Sequence, residues 1–184
     1  MQGRKNGLSA ILKRTRPYLV SVHCLVHRLE LSFKDTIKNN KNYDKAITLL
    51  LGLYYFYRKS PSMKKGLKRS FESLQVNQIL PTRVGGTRWV PHLSRAIENF
   101  FKAYHVIRNH LESASHTNAK AEGLAKLSKD GHVIVFLMGL QDLLRPIKRL
   151  SLCLQKENLT LADSSQHLSV TKVFLADMKN KLWQ

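Results

Sequence analysis

Three side chains of the kind that bind metals or act as nucleophiles lie close together near the N-terminus, at His23, Cys24 and His27. Cys24 and His27 are one helical turn apart, so both could face a single metal ion or phosphate. Zinc normally takes four ligands, and the chain has no second Cys/His pair at zinc-finger spacing. We therefore expect no metal and no cofactor. A structural zinc, and an ordinary polar role for His27, are the alternatives.

A second group of candidate residues is cationic and ends in an indole. Its members lie on a basic helix and in the glycine-containing loop that follows it: Lys64, Lys65, Lys68, Arg69, Arg83, Arg88 and Trp89. Such cations bind the phosphates of a nucleic-acid backbone, and an indole can stack on a base. Trp89 could equally dock a long helix onto its neighbours. Gly85 and Gly86 form no P-loop, because the Gly-Lys-Ser/Thr ending is missing.

The composition makes polyanions the expected partners. The 184 residues include 31 Lys and Arg but only 12 Asp and Glu, which gives a formal charge of +19. A positive field attracts phosphate ligands, and each neutralised phosphate releases counterions. A hydrophobic fraction of 43% suits one folded domain rather than wholesale disorder. The longest nearly uncharged apolar run, residues 46–57, is shorter than the roughly 18 to 20 residues that cross a bilayer, so we expect no membrane span.

The acidic residues form no recognisable catalytic set. Nucleic-acid cleavage with two metal ions needs several converging carboxylates. Before Glu98 the only acids are Glu30, Asp35, Asp44 and Glu72. Serines are numerous, but no Gly-x-Ser-x-Gly nucleophile motif occurs. We therefore predict that the chain is not an enzyme.

The elements that must position these residues are predicted to be mostly α-helices, with one strand near the N-terminus. A short basic helix is expected over about residues 7–16, because Pro17 ends the helical pattern. Residues 18–22 are apolar and β-branched over a length too short for a core helix, and they predict one buried strand. From Cys24 onward, apolar residues recur at every fourth position as far as Ile37, which predicts a second helix.

The middle of the chain predicts a helical bundle. Asp44 is the expected N-cap of a helix whose residues 47–57 are apolar on nearly every side, as in a helix that others surround. The basic helix comes next, and its apolar residues fall on one face. Residues 81–86 read as a turn-forming linker.

Three further helices are expected beyond that linker. An apolar stripe over residues 93–111 predicts one long amphipathic helix. A small-residue segment, 114–123, separates it from a helix whose stripe covers residues 133–154. Asp163 or Ser164 is expected to cap a last helix.

Four segments of the chain carry a family resemblance. They are residues 1–12, residues 17–22, His23-Cys24-Leu25-Val26-His27-Arg28-Leu29-Glu30-Leu31 and Thr87-Arg88-Trp89. Together they resemble hAT-superfamily transposases, and more closely the vertebrate zinc-finger proteins domesticated from these transposases. The diagnostic pieces are the Cys-x-x-His followed by alternating leucines and the later Arg-Trp pair.

The resemblance implies a ribonuclease-H-like catalytic core that is interrupted by a large helical insertion domain. Residues 1–40 would then be a helix, a strand and a helix left from that core. Residues 41–184 would be the helical insertion domain. The three metal-binding acids of the family would all fall outside this chain.

The resemblance also implies roles for individual residues. His27 would sit beside a nucleic-acid phosphate, and Cys24 would support that turn of the chain. Arg88 and Trp89 would contact or stack against DNA bases.

We therefore expect a catalytically inactive fragment of a hAT transposase-like protein, located in the nucleus, that binds nucleic acid, and DNA in particular, without sequence preference. A protein-interaction scaffold that uses exposed apolar helices is the first alternative. A decayed gene product without DNA binding is the second, and an active metal-dependent transposase is the enzyme alternative. The basic, acid-free N-terminus also suits a mitochondrial presequence.

Overall fold

The structure is a computed structural model and describes residues 7–21, 24–86 and 89–181. These residues form nine α-helices and no strand, so the predicted mostly helical class is confirmed. The helices are α1 Leu8–Thr15, α2 Leu25–Ile37, α3 Lys41–Lys59, α4 Pro61–Ser73, α5 Trp89–Lys102, α6 Tyr104–Ser115, α7 Ala119–Lys129, α8 Gly131–Cys153 and α9 Leu161–Lys181. None of them is both long enough and apolar enough to cross a membrane.

Helices α3 and α8 form the centre of the bundle. α8 packs against α3, α5, α7 and α9, and α3 also contacts α4, α5 and α7. On α3, Leu49 and Leu53 are almost completely buried. A helix that is apolar on several sides is stable when other helices cover it. The prediction of a buried helix over residues 47–57 is therefore confirmed in its main point, although Tyr55 is exposed.

Helix α2 contacts the bundle at two places along one face. Phe33 and Ile37 join the main core, whereas Val26 packs with Leu150 and Leu154 in a small separate cluster. This inward face agrees with the helical spacing of the apolar residues in the sequence. α2 therefore lies along the bundle and reaches both clusters.

Two helix N-caps differ from the predicted ones. Asn40, and not Asp44, caps α3, because its side-chain oxygen accepts hydrogen bonds from two backbone N–H groups at 2.9 and 3.2 Å. Thr160 caps α9 together with Asp163. The Asp163 N–H donates to Thr160 Oγ1 at 3.1 Å, and the Thr160 N–H donates to Asp163 Oδ2 at 3.1 Å. This reciprocal pair is a capping box, so neither Asp163 nor Ser164 is the cap itself.

The helices between residues 89 and 129 also differ from the prediction. The long helix expected over residues 93–111 breaks at Ala103, whose backbone leaves the helical region at φ −102° and ψ 6°. The small-residue segment 114–123 is not only a separator, because α7 begins within it. Small residues allow close helix contacts here: a Cβ on Gly52 of α3 would lie 2.6 Å from Leu124 Cδ2 of α7.

The strand predicted at residues 18–22 is wrong for the residues that the structure describes there. Residues 18–21 are irregular, and residue 22 lies outside the described ranges. Tyr18 and Val20 are 75% and 80% exposed. A strand needs a partner for its backbone groups, and the described ranges contain none. In the described part of residues 1–40, which is 7–21 and 24–40, the structure therefore places two helices, α1 and α2, and no sheet.

Candidate nucleic-acid interface

Helix α4 presents its cations on one side and its apolar residues on the other. Leu67 and Phe71 point into the bundle and are 0% and 2% exposed. The four predicted cations of this helix are all exposed: Lys64, Lys65, Lys68 and Arg69. At about 100° per residue they cover about 140° of the helix circumference. We call this surface the α4 cationic face.

Little acidic charge neutralises the α4 cationic face. Glu72 is the only acid on α4, and its carboxylate lies 3.7 Å from the Lys68 ammonium. Both side chains are more than half exposed, so this ion pair is weak. Lys64, Lys65 and Arg69 form no ion pair with any residue in the described ranges. Most of the positive charge is therefore available to an external anion.

Packing beneath α4 fixes the direction of the cationic face. A Cβ on Gly66 would lie 2.5 Å from Nε2 of His110, so α4 approaches α6 closely only because this residue has no side chain. Nδ1 of His110 is 3.1 Å from the hydroxyl of Tyr57, which links α6 to α3. Burial lowers the pKa of His110 and raises the pKa of Tyr57. Both rings are therefore uncharged at neutral pH and suit this buried position.

An open groove borders the cationic face. Residues 78–82 run beside α4, and the groove between them is lined by Lys64, Lys68, Thr82 and Asn99 among others. The Asn99 side chain donates a hydrogen bond to the carbonyl of residue 80 at 3.3 Å, which holds this segment on α5. The Thr82 hydroxyl is buried and has no hydrogen-bond partner in the described structure. The lining of the groove thus contains two cations and a threonine whose hydroxyl forms no hydrogen bond in the described structure.

Two further cations, which the sequence analysis did not single out, lie immediately before α4. Arg58 and Lys59 end α3 and are exposed. The Arg58 guanidinium donates to the Tyr54 hydroxyl and lies 5.5 Å from the centre of that ring. The Lys59 ammonium lies 5.5 Å from the centre of the Tyr55 ring. Both residues lie in the stretch between Asp44 and Glu72, which contains no acid, and this feature of the sequence could have identified them.

The predicted basic loop is partly described. Arg83 is exposed, and Arg88 lies outside the described residues. Residues 81–86 contain no helix, as the linker prediction requires, and Gly85 and Gly86 have φ values of +111° and +150° that favour glycine. The backbone of this loop at residues 85 and 86 therefore favours glycine at both positions.

Trp89 contacts the protein itself. It is the first residue of α5, is largely buried, and its ring centre lies 5.2 Å from that of Phe33 on α2 at an angle of 49°. This aromatic contact favours the docking role over base stacking. The indole joins α2 to the bundle.

The predicted Cys-x-x-His pair lies on a different helix from the cationic face. Cys24 precedes α2 as an exposed free thiol, and His27 is exposed in the first turn of α2. His23 lies outside the described ranges. Among the described residues no three His, Cys, Asp or Glu side chains are placed to hold a metal ion. The candidate residues therefore occupy separate surfaces on α2 and α4.

Two acids have surroundings that the sequence did not reveal. Glu30 is 3% exposed on the inward face of α2, and its Oε1 has no hydrogen-bond partner in the described structure. Glu98 accepts hydrogen bonds from Ser94 at 2.8 Å and from Lys148 at 3.1 Å. The Ser94 hydroxyl, followed by Lys148, lowers the pKa of Glu98. Glu98 therefore links α5 to α8, whereas one buried oxygen of Glu30 has no partner in the described structure.

Comparison with known proteins gives no family and no relative of known structure. No protein-family profile matches the chain, and no solved structure gives a significant match to its fold.

Proposed function

We propose that the chain is a catalytically inactive, hAT-derived protein that binds DNA without sequence preference through the α4 cationic face. The observation that carries this proposal is the arrangement of four exposed cations on one side of α4 with a single acid beside them. Contacts to phosphate supply most of the affinity in non-specific binding. The +19 formal charge acts in the same direction over longer distances.

The number of cations near α4 determines how strongly the DNA affinity should depend on salt. The four residues of the face, together with Lys59 and Arg83, amount to about six phosphate contacts, enough for an affinity that falls steeply with salt. The groove beside α4 adds a concave setting in which Lys64 and Lys68 act on the same anion. A low-dielectric wall on either side strengthens such an attraction.

The resemblance to hAT transposases supports DNA as the polyanion and the nucleus as the compartment. The exposed imidazole of His27 on α2 is accessible to a phosphate, in keeping with the role that the resemblance implies. Arg88 keeps its implied role at the DNA as part of the proposal. For Trp89 we propose the docking role, because its ring already packs on Phe33.

A triple charge reversal tests the proposal. We expect Lys64→Glu, Lys65→Glu and Lys68→Glu together to weaken binding to a duplex of about 20 base pairs by at least tenfold, equally for unrelated sequences. Fluorescence anisotropy with a labelled duplex measures the affinity.

The matched control reverses Lys38, Lys120 and Lys179, which are also exposed but lie at the end of α2, on α7 and on α9, respectively. Both triple variants have the same net charge. An equal loss of affinity in the two variants would mean that overall charge acts and that α4 is not the binding surface.

A protein-interaction scaffold is the second candidate function. Apolar side chains on α8 and α9 are exposed in the described structure, with Val135 at 68%, Val170 at 62% and Val173 at 70%. Val170 and Val173 are one helical turn apart on α9, and neighbouring exposed apolar side chains of this kind mark contact sites for other molecules. Both functions can coexist, because these residues are not on α4.

A further inference from the structure

A groove between α8 and α9 combines an apolar floor with a cationic rim. Its volume is about 250 Å³. Pro146 and Leu150 of α8 face Val170 and Phe174 of α9 across it. The lining residues of each helix recur at spacings of three and four, so each helix contributes one continuous stripe. We call this site the α8/α9 groove.

The size and exposure of the groove favour side chains of another protein over a small molecule. Small-molecule sites usually measure about 300 to 1,000 Å³, and this groove is smaller. Val170 and Phe174 are 62% and 50% exposed, and Val173 beside them is 70% exposed. These residues are not the inward side of α9, where Leu168 packs on the bundle. An apolar stripe on the outward side of a helix is covered when a partner binds.

The charged residues around the groove indicate what charge its partner should carry. Arg145, Arg149 and His167 line it together with the apolar residues. Among the described residues Arg145 forms an ion pair with Asp142 alone, at 3.3 Å. The two side chains are 77% and 62% exposed, so this pair is weak. Arg149 forms no ion pair with any described residue. The acid Asp163 lies near His167, so the positive charge of the rim comes from Arg145 and Arg149.

We propose that the α8/α9 groove binds an acidic amphipathic helix of a partner protein. Apolar side chains at spacings of three and four would enter the groove, and flanking carboxylates would pair with Arg145 and Arg149. A second copy of this chain fits less well, because two chains of charge +19 repel each other. The phosphates of a nucleic acid could pair with the two arginines, but the apolar floor of the groove would then face charged phosphates. The proposal does not depend on DNA binding by α4.

The first test uses the full chain and three synthetic peptides of about 16 residues, the length of about four helical turns. The first peptide carries Leu and Phe at helical spacing with Glu elsewhere, the second has Lys in place of Glu, and the third is a scrambled version of the first. We expect the first peptide to bind at least tenfold more tightly than the other two. Equal binding of all three, or tighter binding of the Lys peptide, would overturn the proposal.

Two variants locate the binding. Arg149→Glu should weaken binding of the acidic peptide at least tenfold. Lys172→Glu is the matched control, because Lys172 is exposed on α9 about 200° around the helix from Val170 and should change the affinity less than twofold. Undiminished binding by Arg149→Glu, or an equal loss in both variants, would contradict the site.

Cys153 gives a readout inside the groove itself. It lines the groove and is half-buried, while Cys24 is an exposed thiol that Cys24→Ser removes. In the Cys24→Ser protein we expect the acidic peptide to slow alkylation of Cys153 at least fivefold. Protection by duplex DNA instead would identify nucleic acid as the occupant, and protection that rises with protein concentration alone would identify a second copy. Either result would overturn the proposal.

Discussion

Replacing Trp89 by alanine separates the two roles considered for its indole. The ring is largely buried and packs on Phe33, so truncation removes apolar contacts and leaves a cavity between α2 and α5. Truncation of a fully buried Trp costs about 3 to 5 kcal/mol, and the partial exposure here reduces this to about 2 kcal/mol. For a chain of this length that corresponds to a melting temperature lower by about 4 to 8 °C. Circular dichroism during heating measures the change, and Trp89→Phe is the control that keeps an aromatic ring.

A double-mutant cycle with Phe33→Leu isolates the contact between the two rings. Aromatic pairs contribute about 0.5 to 1.5 kcal/mol beyond their buried area, so the two substitutions should be non-additive by about that amount. Urea unfolding of the four proteins in the cycle gives the coupling free energy. The duplex-DNA affinity of Trp89→Ala should stay close to that of the parent protein.

The docking role of the indole would be refuted by two observations made together. The Trp89→Ala protein would melt within about 1 °C of the parent protein, and its binding to single-stranded DNA would weaken by about 1 to 3 kcal/mol. The ring would then face nucleic acid and not α2.

Three further predictions concern the buried acid, the buried histidine and the Cys-x-x-His pair. Glu30→Met should raise the free energy of unfolding by about 1 to 3 kcal/mol, because it removes a buried carboxyl oxygen that has no hydrogen-bond partner in the described structure, and a lower urea midpoint would contradict this. Because burial lowers the pKa of His110 in the folded state, the unfolded chain binds the proton first as pH falls below about 6.5. Stability should therefore fall between about pH 7 and pH 5, and His110→Gln should flatten that dependence in urea titrations. Cys24 and His27 should hold no stoichiometric zinc in elemental analysis, whereas about one zinc per chain that Cys24→Ser removes would establish a metal site.

Much of the helical fold follows from patterns within one element. The apolar stripes of α2, α4 and α8 are local in sequence, and the structure buries or half-buries the residues that those stripes select. The break at Ala103 could not be predicted, because alanine favours helix and the apolar stripe continues across it. The strand at residues 18–22 failed for a different reason: strand propensity needs a neighbouring strand, and none is present in the described ranges.

In the candidate site, too, some features follow from the local sequence and others depend on tertiary contacts. The α4 cationic face could be predicted, because four cations opposite Leu67 and Phe71 remain exposed in almost any packing of an amphipathic helix. The contact of Trp89 with Phe33 could not, because it joins residues far apart in the sequence. The burial of Glu30 is also a tertiary effect, since its neighbours along α2 do not show which helix covers it.

The dependence of DNA affinity on salt tests the central claim most directly. If the α4 cationic face and its neighbours neutralise about six phosphates, log K against log salt concentration should have a slope of about −5. Reversal of Lys64, Lys65 and Lys68 should make the slope less negative by about 3 units, and reversal of the control lysines should leave it nearly unchanged. A slope near zero for the parent protein, or equal slopes for the two triple variants, would contradict DNA binding by α4.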